Sequence, residues 1–330
     1  MCYLRHSIAE SSVFFCLKQT KFFIFALCSE MNNSAIPKQS PYFMPHRFLQ
    51  FAAFSVFFGR AYQYFFRDAP LRVLLWDEEL MSPMLANFGI FWQDYATNPQ
   101  TEKNIIFLTQ SIGFLYFMAA LSIFFIPKNK NLSQKMLPKI ASLVILLATA
   151  NLFILAFCYT KDKFFNVGQF FEFAIQIGTP IALLLYGKIS EIRFLFFVKT
   201  LCALTFTCHG LYAMNYYTTP VDFISMTMNG FSMEESSAKT FLYNIGILDI
   251  VASIVIFLPK IDKIGLVYMV IWGFLTSFAR VYGSIHEALF TTILQQYWFH
   301  VLYRCSHFLL PIVCFFKYEL HSVDKKSVNL

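Results

Sequence analysis

Apolar runs long enough to cross a bilayer recur eight times along the chain, at roughly 48–66, 104–126, 140–159, 168–187, 194–215, 240–259, 264–284 and 295–316. A helix needs about 20 predominantly apolar residues to traverse the hydrocarbon core, so each run predicts a transmembrane helix. The runs end at recognisable breaks. Pro127, Pro138 and Pro259 remove a backbone donor and stop or start helices. Asn98-Pro99 reads as a cap and first-turn proline ahead of the second run, and Ser232-x-x-Glu235 as a capping box entering the sixth. The expected fold is all-α, a polytopic integral membrane protein with about eight transmembrane helices.

Residues 1–30 follow a different pattern. Lys18 and Lys21 interrupt their apolar stretches, which are too short to span, and no small-x-small cleavage site follows. Met31 then opens a polar stretch that looks like an ordinary cytoplasmic N-terminus, so 1–30 is expected to be a gene-model extension. The expected organisation is a cytoplasmic segment 1–46, a four-helix unit 47–188, a second unit 189–317 and a cytoplasmic tail 318–330.

Composition agrees. Of 330 residues, 57% are hydrophobic and 14% charged, too little polar surface for a water-soluble fold. The net charge of +7 acquires meaning once it is placed. With the N-terminus inside, counted from Met31, the cytoplasmic segments hold 13 Lys/Arg and four acids, and the opposite side six bases and 11 acids. This is positive-inside bias, not a nucleic-acid patch. It places both termini in the cytoplasm of what reads as a bacterial inner-membrane protein. The eight cysteines form no C-x-x-C pair, which argues against a disulfide framework or zinc ribbon.

The eight runs look like a unit of four used twice. Tyr62 and Pro70 recur as Tyr212 and Pro220, at an offset of 150. Ile112-Gly113-Phe114-Leu115 recurs as Ile245-Gly246-Ile247-Leu248. Spans four and eight each carry a glutamine, an ionisable residue and then a proline (Gln169, Glu172, Pro180; Gln296, His300, Pro311). Four helices separate the copies, an even number, so the repeats are expected to be parallel. This unit resembles the DoxX-like four-helix membrane proteins, most clearly from Thr205 to Pro259, a grouping that shades into the superfamily holding the membrane part of vitamin-K-dependent carboxylase. The resemblance implies redox or quinone-linked roles for a few members. A DoxX-like chain is one unit and this chain is two, so no catalytic residue is carried over.

Ionisable residues inside spans cost about 2.5–3.5 kcal/mol at mid-membrane and are functional candidates by default. Lys199, near the cytoplasmic end, reads as snorkelling. The ligand-binding candidates are Arg60, Glu172, His209, Asp249, Arg280, His300, Arg304 and His307. Six fall in the outer half, with Asp249 and His307 near mid-depth. His300, Arg304 and His307 stand at i, i+4, i+7 and share a stripe, as do Gln169, Glu172 and Gln176 before the Pro180 kink. Bland readings stand beside these. Arg60 snorkels or pairs with Asp68, and Asp249 pairs with an arginine of a neighbouring helix. His209 is satisfied by a carbonyl, and the stripe is an interhelical polar network. Arg60, Arg280 and Arg304 against Glu172 and Asp249 read as nearly balanced charges around an outward-facing polar cavity.

No phosphate loop, nucleophile elbow or H-E-x-x-H appears, and no metal site is assigned. Paired histidine ligation, or Glu172 with two histidines, is a weaker reading. Trp76–Glu79 reads as an interfacial amphipathic segment more readily than as a cation site. The functional expectation is a membrane protein binding a quinone or another small or lipid-like ligand, with histidine as proton carrier. The alternatives are a secondary transporter and a non-catalytic scaffold. The specific activity, cofactor and oligomeric state are not legible.

Overall fold

The computed structural model describes residues 43–127, 135–284 and 289–316. The segment 1–30, Lys38, Lys128, Lys130, Glu287 and the tail 318–330 lie outside the described residues. In chain order the helices are α1 (Phe43–Phe66), α2 (Arg72–Leu75), α3 (Glu78–Ala86), α4 (Trp92–Thr97), α5 (Pro99–Ser122), α6 (Met136–Asp162) and α7 (Val167–Glu172). There follow α8 (Ala174–Leu185), α9 (Glu191–Ala213), α10 (Val221–Phe231), α11 (Glu235–Val255), α12 (Asp262–Tyr282), α13 (Phe290–Arg304) and α14 (306–316). A 3₁₀ turn, Ile123–Phe125, extends α5, and no strand occurs among the described residues.

Seven segments are long and apolar enough to cross a membrane: Pro99–Phe125, Met136–Asp162, Val167–Leu185, Glu191–Ala213, Glu235–Val255, Asp262–Tyr282 and Phe290–Phe316. Their outer faces carry exposed Phe107, Phe114, Leu143, Leu146, Phe196, Ile254 and Ile264. Water would penalise such faces and lipid would not. The protein is an all-α polytopic membrane protein. The eighth expected span, α1, has 24 residues but is not among the seven. Arg60 and Gln63 sit on its buried face with Leu49, Ala53, Val56 and Phe57. An interior helix faces protein on most sides and can carry polar groups a lipid-facing helix cannot.

Packing follows a regular order. α1 packs along α5, α5 against α6, and α6 against α7 and α8. α9 packs along α11, α11 against α12, and α12 against α13. Between these sets, α13 lies on α1, and α7 and α8 lie on α9. The first helix of each set thus carries the last helix of the other. Phe48 stacks on Phe316 at 5.7 Å, so the start of α1 and the end of α14 share one end of the bundle.

Two helices are interrupted. The span Val167–Leu185 breaks at Phe173, seven residues before Pro180, and Phe290–Phe316 breaks at Cys305, six residues before Pro311. The expected interruption at Pro180 itself is displaced upstream by two turns. The first of these breaks meets a hydroxyl from the first helix of the other set: the Ile175 backbone N–H donates to Thr205 Oγ1 at 3.1 Å.

Helix ends give one agreement and one correction. The Asn98 side chain accepts from Gln100 N–H and Pro99 opens α5, as expected. The capping box at Ser232 does not form. Ser232 closes α10 in the left-handed region (φ 53°), while Glu235 is already the first residue of α11 and pairs with Lys239 at 2.6 Å. With only three residues between two helices, Ser232 serves the helix behind it.

Candidate functional site

Toward the end away from Phe48, the first and last helices of both sets bring together a buried polar cluster. Arg60 on α1 lies about 18 Å along its helix from Phe48 at the usual rise and is 1% exposed. Its guanidinium donates to Gln63 Oε1 and Gln176 Oε1, both at 2.6 Å, and lies 3.8 Å over the Tyr303 ring. It neither snorkels nor pairs with Asp68, which is bonded to Arg72 at 2.9 Å instead. Two glutamine oxygens and an aromatic face hold its charge inside the bundle.

Glu172 is the last residue of α7, where the Phe173 break begins. Its Oε2 accepts from Gln169 Nε2 at 2.9 Å. Its Oε1 faces His209 Nε2 at 3.6 Å and Arg304 Nη2 at 3.7 Å. Both are longer than a hydrogen bond; the Arg304 contact joins opposite charges, and the His209 contact does so when its ring is protonated. His209, on α9, stands edge-to-face with His307 at 5.6 Å between ring centroids. His307 Nδ1 lies 3.0 Å from the Arg304 carbonyl oxygen. A carbonyl only accepts, so Nδ1 carries a proton and a neutral ring keeps its lone pair on Nε2.

Arg280, on α12, lies within electrostatic reach of Glu172 and Arg304, and its Nη1 donates to Asp222 Oδ2 at 2.8 Å. Asp222 stands on α10, a short helix whose Phe223 ring also lies 6.2 Å from the His209 ring. His300 sits edge-on to Phe299 at 4.2 Å. The Nε atoms of Arg60 and Arg280 and Nδ1 of His300 are buried with no hydrogen-bond partner among the described residues.

Three further sequence expectations change. Asp249 is buried but does not belong to the cluster. It accepts the Tyr268 hydroxyl at 2.8 Å, so its partner on the neighbouring helix is a phenol and not an arginine. Without it the charges are unbalanced, with three guanidiniums facing one buried carboxylate. Lys199 does not snorkel to the surface. It pairs at 2.8 Å with Asp262, the buried first residue of α12. The i, i+4, i+7 stripe is likewise interrupted at Cys305, and it is His307, beyond the break, that meets His209.

Tyr303 and Asp222 were missed as site residues. Tyr303 lies three residues after His300 on the flagged stripe, and a search confined to ionisable groups passes over an aromatic face. Asp222 follows Pro220 in a segment that reads as a loop between spans, outside the search for ionisable residues within spans.

The acidic segment at Trp76–Glu79 is engaged in structure. Asp77 caps α3 through Leu80 N–H and bonds Lys161, while Trp76 packs near Tyr95 at 5.7 Å. Among the described residues no three His, Cys, Asp or Glu side chains are placed to hold a metal ion, and five cysteines are free and buried. A cavity of about 340 Å³ lies between α7 and α9, lined by Phe171, Leu204, Cys208, Leu211, Tyr217 and Phe257 among others. None of the eight candidate residues lines it.

Comparison with protein-family models, with curated proteins and with solved structures finds no match to this chain.

Proposed function

We propose that this membrane protein is a duplicated four-helix unit whose halves clasp a polar centre that binds the head of a small or lipid-like ligand. The observation that carries this reading is the junction of Glu172, His209, Arg304 and His307, from helices of both halves, with Glu172 Oε1 at 3.6 and 3.7 Å from its two nearest cations or imidazoles. A half-satisfied buried polar network of this kind is costly unless a further group completes it. His209 and His307 are the proton carriers in this reading, and the arginines hold the head. α10 roofs the centre on the outer side, with both chain termini in the cytoplasm of a bacterial inner membrane.

The duplication has independent support. By the offsets read from the sequence, Tyr64 corresponds to Met214, Gly113 to Gly246 and Ser55 to Thr205. A Cβ on Gly113 would meet Tyr64 Cβ at 3.1 Å, and one on Gly246 would meet Met214 N at 3.1 Å. Thr205 bonds the broken helix of the other half, and Ser55 stands at the corresponding position of the first half. The DoxX-like resemblance remains part of this proposal, as a kinship of the repeated unit.

The test is purification in mild detergent followed by extraction and mass analysis of what co-purifies. Wild type is expected to carry a lipid-like molecule, and His209→Ala and His307→Ala to purify folded without it. Retention of the molecule by both folded variants overturns the reading. A second reading, solute transport, is favoured by the two interrupted helices at the repeat interface. It predicts substrate-dependent exchange of accessibility at a cysteine placed beside Pro180.

A further inference from the structure

α12 runs antiparallel to α13 and α14, and the faces meet in steps. At the first, a Cβ on Gly273 would lie 2.7 Å from the His307 carbonyl oxygen, so the two backbones touch. One turn on, Ser277 Oγ donates to the Arg304 carbonyl oxygen at 3.0 Å. Gly273, Ser277 and Arg280 stand at i, i+4, i+7 and share a face, opposite His307, Arg304 and His300 in turn. The same register brings Arg280 to the level of His300. At that step Arg280 Nε and His300 Nδ1 are both buried with no hydrogen-bond partner among the described residues.

Long helical side chains lean toward the N-terminus of their own helix. In an antiparallel pair this tilts Arg304 toward the His300 step and Arg280 back toward the Ser277 step, so the two guanidiniums converge. Their donors are largely unspent. Arg280 gives Nη1 to Asp222, whose side chain on α10 is 61% exposed. Arg304 donates no hydrogen bond among the described residues and meets Glu172 Oε1 at 3.7 Å. Each guanidinium has five N–H donors and keeps its charge. Glu172 approaches Arg304 from α7 and Asp222 approaches Arg280 from α10, which leaves the sides that the two arginines turn to each other. The centre is not sealed either: the side chains of Arg304, His209 and Glu172 keep 13%, 14% and 15% of their surface accessible.

We propose that the step between α12 and α13 is an oxyanion site whose ligand is a phosphate group, held by Arg280 and Arg304 with His300 Nδ1 as a further donor. This rests on the reading of the centre as a ligand site and adds to it the charge and chemistry of the head. A phosphate presents oxygens in several directions, which suits donors arriving from two helices, whereas a carboxylate offers two in one plane. Its charge offsets the excess of Arg60, Arg280 and Arg304 over Glu172, which a neutral quinone would leave standing. Arg280 lies two residues before the end of α12, where a span meets the interfacial layer, so the phosphate arrives from solution or as the head of a lipid.

The test uses the full chain, delipidated in dodecyl maltoside and Tris chloride, with radiolabelled inorganic phosphate as probe. Dihexanoyl phosphatidic acid, dihexanoyl glycerol and hexanoate are the competitors. Phosphate is expected to bind saturably and to be displaced by the phosphatidic acid, with dihexanoyl glycerol and hexanoate without effect. Phosphatidic acid tighter than phosphate makes a lipid head the ligand, and phosphate as tight or tighter makes it the free anion; either supports the site. Arg280→Gln and Arg304→Gln are each expected to lower affinity about tenfold or more, the loss of a hydrogen bond between charged groups. Asp222→Asn is expected to raise it severalfold by removing the carboxylate that competes for Arg280. Unchanged affinity in a folded arginine variant overturns the site, as does the lack of a gain in Asp222→Asn should neither arginine variant fold. Hexanoate equal to phosphate overturns the choice of phosphate. No binding of phosphate or phosphatidic acid, with a molecule still co-purifying from wild type, overturns the anionic head and leaves the ligand centre standing. No binding with nothing co-purifying removes both.

Discussion

The backbone N–H of Ile175 donates to the hydroxyl of Thr205, 3.1 Å away on another helix. Ile175 stands just past the Phe173 interruption, where a regular helix would have supplied a carbonyl and where lipid offers none. A threonine on α9 thus completes the backbone of a helix from the other packing set. Thr205→Val keeps the shape and removes the acceptor. It should lower stability by about 1–3 kcal/mol, the cost of a buried donor left unmade, while Thr205→Ser should stay near wild type. Thermal unfolding in a fixed detergent decides this, and equal midpoints for the valine and serine variants would remove this role of the Thr205 hydroxyl.

Glu172 is the one buried carboxylate facing three guanidiniums, so its loss should be felt well beyond a single contact. Glu172→Gln leaves Arg304 without its partner at 3.7 Å and is expected to cost about 3–5 kcal/mol, as for other broken buried pairs. Removing both charges, with Glu172→Gln and Arg304→Gln together, should cost less than the sum of the single changes by about 0.5–3 kcal/mol. A double-mutant cycle on unfolding free energies measures the difference. Strict additivity would show that the two groups do not interact.

The bilayer makes span placement legible, because about 20 apolar residues in succession have few other uses. Asn98-Pro99 was legible for a similar reason, since cap and proline act within one turn. What stayed hidden depends on partners far along the chain. Arg60 finds Gln176, 116 positions away, and Lys199 finds Asp262, 63 positions away. Asp249 finds a tyrosine hydroxyl, which a count of charges does not see. Ser232 carried a capping signal, but the short connection between α10 and α11 required a left-handed residue there. Helical spacing placed His300, Arg304 and His307 on one stripe, and the break at Cys305 is what lets His307 face His209.

Asp77 offers a pH test outside the membrane spans. Its hydrogen bond from Lys161, reinforced by Leu80 N–H, holds its carboxyl below the ordinary value of 3.8. A carboxyl depressed on folding contributes stability that is complete above the ordinary carboxylate range and is lost as pH falls through the depressed value. Asp77→Asn should therefore unfold at a lower temperature than wild type at pH 7, with the gap closing toward about pH 3 or below. A gap that widened on acidification would give the contact the opposite sign.

Arg60 tests whether the centre needs a guanidinium or only a filled space. It donates to Gln63 and Gln176 and lies over the Tyr303 ring, three contacts that a planar fork makes at once and an ammonium cannot. Arg60→Lys should lose about 1–3 kcal/mol of stability despite keeping the charge. Arg60→Met removes the buried charge but orphans the Gln176 oxygen. Adding Gln176→Leu should recover much of that loss, because removing both partners of a buried bond costs less than removing one. Gln63 keeps contacts to the Tyr159 hydroxyl at 3.2 Å and the Asp68 carbonyl at 3.4 Å, so it needs no second change. Unfolding midpoints of the four proteins rank the contacts, and a lysine variant as stable as wild type would show that charge alone holds this corner of the bundle.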